Sequence, residues 1–178
     1  RGLGDVYKRQ RKYTVDSPDG KIQLAIIQTD AGELTYQLSV KRKQVIDASA
    51  LGFKTEDGLT FPFRGWKMGK VTRNKVNSVW KPLWGKRAVV PDKYNEMKLS
   101  FVNEAKSSDA LEVVARAYNE GVAFRYVSPQ DAGSALELTT FNFAGDYTAW
   151  FYNGERHNIG PERLTETDGE RLPVMTVK

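Results

Sequence analysis

Apolar residues recur at every second position along most of this chain. Ile22, Leu24 and Ile26 share one side of residues 21–29, and Leu34, Tyr36, Leu38 and Val40 repeat the pattern over 34–40. A period of two places such residues on one face of a strand. Turn signatures separate the runs: Ser17-Pro18-Asp19-Gly20, Asp30-Ala31-Gly32, and the charged reversal Lys41-Arg42-Lys43-Gln44. Gly, Pro, Asn and Asp favour turns, each through its own backbone preference. Val45-Ile46 starts another short strand. Ala48–Phe53 predicts a further one, closed by Asp57-Gly58. Turns about every ten residues are the spacing of an antiparallel meander.

The stretch Phe61-Pro62-Phe63-Arg64-Gly65-Trp66 is aromatic but holds a proline, which confines it to a sheet edge or a loop. Lys67–Val79 alternates basic and apolar residues and predicts a long edge strand. Lysines there guard against strand addition. Trp80–Arg87 sets two tryptophans around a proline and closes on a glycine, which predicts an ordered loop. Asp92–Glu96 leads into a strand over Met97–Asn103. Leu111–Tyr118, the turn Asn119-Glu120-Gly121 and Val122–Val127 form the clearest hairpin. Ala135–Phe141 and Tyr147–Tyr152 add two strands. Residues 104–116 have some helical propensity, but Val113-Val114 and the strand-rich flanks favour β. No amphipathic helix of twelve or more residues is visible, and the reading is an all-β antiparallel sandwich.

Within that pattern, Phe141–Glu155 stands out. A Gly-Asp turn precedes the apolar run Tyr147–Tyr152 and an Asn-Gly turn follows it. The pattern predicts a buried strand that delivers polar groups at its end, Glu155 and the chain's one histidine, His157. Binding groups are often placed this way, on loops held by a rigid sheet.

Composition refines this picture. The chain has 178 residues, 40% of them hydrophobic, enough for one domain with a core. It has no cysteine, so neither a disulfide framework nor thiol chemistry is available. The formal net charge is +5, but residues 1–12 alone carry +4, leaving about +1 on the rest. A basic tail on a nearly neutral domain is not the basic stripe of a nucleic-acid binder. No stretch approaches the ~20 apolar residues of a membrane span, and no signal-peptide pattern is visible. Residues 1–12 lack alternation and are expected to be a non-native or disordered leader to a domain over 13–178. The last residues, Val174–Lys178, read as a strand cut midway, so the expectation is a truncated piece of a longer protein.

Candidate chemistry is sparse. Trp66, Trp80, Trp84, Trp150 and the surrounding tyrosines offer stacking faces for sugars, although tryptophans in sandwiches more often fill cores or brace loops. Tyr94-Asn95-Glu96 reads as a turn with a hydrogen-bonded Asn at a strand start, and Asp146 as a turn cap. Glu155, His157 and Glu162 form a loose cluster after a strand. Ca²⁺ takes 6–8 oxygen ligands, so one or two carboxylates make only part of a site. One histidine and no cysteine argue against zinc. A serine triad would rest on His157 alone, with no Gly-x-Ser-x-Gly to support it.

Five blocks in order carry a resemblance. They are Ser17-Pro18-Asp19-Gly20; Val79-Trp80-Lys81-Pro82-Leu83-Trp84-Gly85; Tyr94-Asn95-Glu96; the run Tyr118–Tyr126; and Phe143–Trp150. Together they make residues 13–178 resemble the N-terminal domain of glycoside hydrolase family 97, a family of α-glucosidases and α-galactosidases. The resemblance implies a large β-sandwich of the galactose mutarotase-like type. It implies packing on a catalytic (β/α)₈ barrel that carries the catalytic carboxylates and most ligands of a Ca²⁺. It implies a periplasmic or secreted parent acting on an oligo- or disaccharide. In that family the segment after the Gly-Asp-x-x-Ala-Trp strand supplies one glutamate to the calcium. Carried over, this makes Glu155 the first candidate ligand and Glu162 the second, with Trp150, Arg156, His157 and Asn158 as candidate sugar contacts. The barrel is missing from this chain, so no catalytic residue is assigned and the polypeptide is expected to be inactive alone. The alternative is a free-standing carbohydrate-binding β-sandwich module without catalysis. A ligand-free structural sandwich would be favoured if the aromatics were all buried.

Overall fold

The computed structural model describes residues 11–62, 65–104, 110–128, 133–152, 154, 158–167 and 172–178. The strands are β1 (Arg11–Asp16), β2 (Ile22–Gln28), β3 (Leu34–Val40), β4 (Lys43–Leu51), β5 (Phe53–Thr55), β6 (Thr60–Phe61), β7 (Trp66–Trp80), β8 (Val90–Asn103), β9 (Ala110–Ala117), β10 (Val122–Val127), β11 (Ala135–Glu137), β12 (Thr148–Tyr152), β13 (Asn158–Arg163) and β14 (Leu172–Val177). There is no helix among the described residues, as the sequence predicts. The chain divides into two compact units, residues 1–142 and 143–178.

The first unit is an antiparallel sandwich. One sheet has the order β1-β2-β3-β4 and the other β10-β9-β8-β7. Alternation decides what lies between them. Leu24 and Ile26 of β2 and Leu34 and Tyr36 of β3 are buried, as are Met97, Leu99 and Phe101 of β8 and Leu111, Val113 and Ala115 of β9. Fully burying one such large side chain stabilises the fold by about 1.5–3 kcal/mol. The outer face of the second sheet holds the charged residues. Arg116 donates from Nε to Glu96 at 2.7 Å and lies 4.2 Å from the centre of the Tyr94 ring. The Glu96 carboxylate raises the guanidinium pKa further, and burial raises that of Tyr94.

A third, small sheet of order β11-β5-β6 brings in the aromatic centre of this unit. Phe61 is fully buried and meets Trp66, Phe101 and Tyr126 edge-on at 5.1, 5.4 and 6.0 Å between ring centres. Burial pushes the Tyr126 hydroxyl up to about 12. Gly52, between β4 and β5, has no room for a side chain, because a Cβ there would overlap the Phe61 carbonyl oxygen.

Several elements differ from the pattern. Val45-Ile46 and Ala48–Phe53 are not separate strands: β4 runs to Leu51 and only Gly52 breaks it. Ala135–Phe141 is a ladder strand only to Glu137. Beyond it the chain is tied to β4 and Gly52 by mixed bonds, Leu138 N–H to the Gly52 carbonyl at 2.9 Å and Ala50 N–H to Thr140 Oγ1 at 2.8 Å. Asn95 is no turn residue. It sits inside β8 and donates to the Asp16 carbonyl at 2.7 Å, a tie to the facing sheet that no local rule reports. Arg11 and Lys12 open β1. The predicted edge strand over 67–79 is β7, at the end of its sheet.

Two turns also join across this unit. Asp19 accepts from Ser17 Oγ at 2.7 Å and from the Lys21 N–H at 3.1 Å, while the Asp19 N–H donates to Asn119 Oδ1 at 3.0 Å. The Ser17 hydroxyl, with help from Lys21, lowers the Asp19 carboxyl to about 2.

Phe61→Ala should cost about 3–5 kcal/mol in denaturant unfolding, the range for removing a core phenylalanine; a loss below 1 kcal/mol would contradict the central place given to this ring. A depressed folded-state pKa stabilises above the unfolded value of about 3.9, and that stability fades as pH falls through about 2. Asp19→Asn should therefore lower Tm at pH 5, and its difference from the unaltered chain should shrink steadily from pH 4 to pH 2.

Candidate functional site

The second unit carries the residues the sequence singles out. Its sheet has the order β13-β12-β14, so β12 is central. The sequence predicts Tyr147–Tyr152 as a buried strand, and only half of it is. Ala149 and Phe151 are buried, whereas Trp150 is 37% and Tyr152 45% exposed. Alternation on a sheet with one wet face accounts for this.

The strand is bulged on both sides, with register shifts between Ala149 and Phe151 against β13 and between Trp150 and Tyr152 against β14. Gly160 makes the first shift possible. Its φ is 117°, and a Cβ there would lie 2.5 Å from the Ala149 carbonyl oxygen and 3.0 Å from the Trp150 Cα and ring. Bulges re-aim side chains, and here the backbone of Gly160 sits directly against the residue that presents the indole.

Register sorts the candidates by face. Asn158 pairs with Tyr152 and is exposed, so it shares the face of Tyr152 and Trp150. Glu162 pairs with Ala149 and is half-buried, which sets it on the opposite face. Glu155, Arg156 and His157 lie outside the described residues. Asp146 is a cap, as the sequence predicts: its carboxylate accepts from the Thr165 N–H at 3.1 Å and the Thr165 hydroxyl at 3.0 Å. Its carbonyl accepts from Arg163 Nη1 at 2.8 Å. These bonds hold the turn after β13.

Among the described residues, no three carboxylates or other ligating side chains gather around one point. The Glu162 side chain has no hydrogen-bond or ion-pair partner among the described residues. In the first unit, a cavity of about 600 Å³ is lined by Gln28, Trp66 and the Lys67–Glu104 ion pair, and by none of Trp150, Asn158 and Glu162. Of the four tryptophans only Trp66 is in the core. Trp80, Trp84 and Trp150 are exposed, which removes the premise of a wholly structural set of aromatics. Tyr152, one of the tyrosines around Trp150 that the sequence offers as stacking faces, takes the same face of β12 as Trp150 through its i, i+2 spacing.

The geometry defines a class first: an antiparallel all-β sandwich, followed by a smaller C-terminal sheet with an exposed aromatic face. The family follows from comparison. The family described as Glycosyl-hydrolase 97 N-terminal matches residues 15–174, and the chain belongs to it. A retaining alpha-galactosidase of Bacteroides thetaiotaomicron is 22% identical over 92% of this chain and 26% of its own length. A probable retaining alpha-galactosidase of Streptomyces bingchenggensis is 31% identical over 83% of this chain and 24% of its own. Among solved structures, a glycoside hydrolase family 97 enzyme of Pseudoalteromonas sp. strain K8, in complexes with panose and with acarbose, matches with a TM-score of 0.69 and 34% identity. That match covers 80% of this chain and 22% of the enzyme. The chain thus spans about a quarter of the length of its curated relatives.

Gly160→Ala should destabilise the second unit by about 1–3 kcal/mol, since it combines a strained φ with a backbone overlap. It should also move Trp150, read as a shift in its fluorescence maximum; an unchanged spectrum and stability would refute the role given to Gly160.

Proposed function

We propose that this chain is the N-terminal accessory domain of a calcium-dependent, exo-acting glycoside hydrolase of the α-galactosidase or α-glucosidase type. In this reading it packs on a catalytic (β/α)₈ barrel of the same parent polypeptide. The segment from Trp150 to Glu162 borders the sugar and calcium site of that barrel. The parent works in the periplasm or outside the cell on an oligo- or disaccharide.

Family membership over residues 15–174 carries the reading, and the exposed face shared by Trp150, Tyr152 and Asn158 supports it. Trp150 and Tyr152 offer flat apolar faces to the C–H patches of a sugar ring, and Asn158 offers an amide to its hydroxyls. One glutamate of this segment would reach the calcium through its carboxylate, Glu155 as first choice and Glu162, which the register sets on the face away from Trp150, as second. The cation would polarise or orient the substrate as a Lewis acid. Most of its oxygens would come from the barrel, as would the acid and base. The exposure of Trp80, Trp84 and Trp150 favours a second reading, a carbohydrate-binding module that works alone.

The parent polypeptide should hydrolyse aryl α-galactosides or α-glucosides and lose that activity to a calcium chelator. The 178-residue chain alone should show no turnover above a mock preparation and only weak calcium binding; turnover by it, or sub-micromolar calcium affinity, would sink the proposal. In the parent, Trp150→Ala should raise KM about tenfold, the equivalent of ~1.4 kcal/mol of lost contact. Calorimetry of the chain alone with panose separates the two readings, because only the free-standing module binds it unaided.

A further inference from the structure

One feature of the first unit is left unused by the site above. Strand β8 pairs with β9 only from Asn95 onward, whereas β7 and β8 continue pairing from Val76–Tyr94 out to Trp80–Val90. The last five rungs therefore form a two-stranded ribbon with no third strand, capped by a loop over residues 81–89. Among the described residues, no hydrogen bond involves that loop. The tip is apolar: Leu83 is 100% and Trp84 87% exposed, and Val79, Trp80 and Val89 in the chain leading to and from it are exposed as well. Its flanks are basic, with Lys75, Lys81, Lys86, Arg87 and Lys93 against the single acid Asp92.

An isolated two-stranded ribbon is marginal in water, and a contiguous exposed apolar patch marks an interaction surface. Three occupants are conceivable, and chemistry separates them. Sugars are neutral and stack on flat rings, so they leave Leu83, the two valines and four net positive charges unexplained. A two-fold contact with a second copy would set the same patch against itself, and so place like charge on like charge. A protein surface with an apolar depression and a rim of carboxylates answers both features. Length points to its source, since the part of each relative outside the matched stretch is about three times as long as that stretch.

We propose that the ribbon of residues 76–90 docks on the remainder of the parent polypeptide, with Leu83 and Trp84 seated in an apolar depression rimmed by carboxylates. This rests on the reading of the chain as an accessory domain and names the surface through which it attaches. Tethering in one chain gives such a contact a high effective concentration, so modest intrinsic affinity suffices.

The test is hydrogen exchange on the full parent polypeptide, with aryl-glycoside hydrolysis followed in parallel. Amides of residues 83–89 should exchange about tenfold or more below their unstructured rate, at all protein concentrations and without sugar. The double change Leu83→Asp with Trp84→Ser should restore fast exchange there. Both side chains are exposed in this unit, so the core strands should stay protected in that variant. Lys86→Glu with Arg87→Glu should partly restore it. Free exchange in the unaltered parent would overturn the proposal. So would protection that appears only with added panose, which assigns the tip to sugar, or protection that rises with protein concentration, which assigns it to a second copy. A parent with a protected loop and no hydrolysis would refute the glycosidase reading and leave the docking standing; hydrolysis with an unprotected loop would do the reverse.

Discussion

Two four-stranded sheets that each bury one face and wet the other are stable only against one another. Leu24 and Ile26 on one side and Met97, Leu99 and Val113 on the other leave water together. Everything else in the first unit follows from that closure. Charges on the second sheet are driven outward, where Glu96, Arg116 and Tyr94 satisfy one another. The sandwich is then tied across by single polar bonds, Asn95 to the Asp16 carbonyl and Asp19 to Asn119. Phe61 seals the open side where the third sheet crosses, and Gly52 is required because that crossing is too close for a side chain.

The second unit applies the same rule at smaller scale, with a different outcome. Three strands bury Ala149 and Phe151 and expose the alternate residues. Gly160 then lets β13 approach β12 closely enough to bulge it. The face that remains open carries Trp150, Tyr152 and Asn158, and the carboxylate of Glu162 faces the other way. The chain belongs to the Glycosyl-hydrolase 97 N-terminal family, and it spans about a quarter of the length of its curated relatives.

How far the sequence could be read depended on the kind of interaction involved. Period-two alternation predicted the edge strand β7 and the β9–β10 hairpin, because both are local properties of a pleated backbone. It missed the irregular tie of residues 138–142 to β4, where side-chain oxygens such as Thr140 Oγ1 replace ladder carbonyls. It also placed Asn95 in a turn, because the bond that fixes Asn95 comes from a residue 79 positions away. Burial of the whole Tyr147–Tyr152 run was over-read from aromatic density; which faces are covered depends on neighbours the run does not encode.

By itself, then, the sequence determined the all-β class, the strand-and-turn rhythm and the family. These rest on local backbone preference and on the order of short motifs. Tertiary structure alone decided which aromatics are core and which are surface. Phe61 and Trp66 went inward while Trp80, Trp84 and Trp150 stayed out, although all are equally apolar. Structure also decided that Glu162 and Trp150 take opposite faces, because a single bulge at Gly160 sets the register between their strands. Burial and register are properties of pairs of segments, and a one-dimensional pattern specifies each segment without specifying its partner.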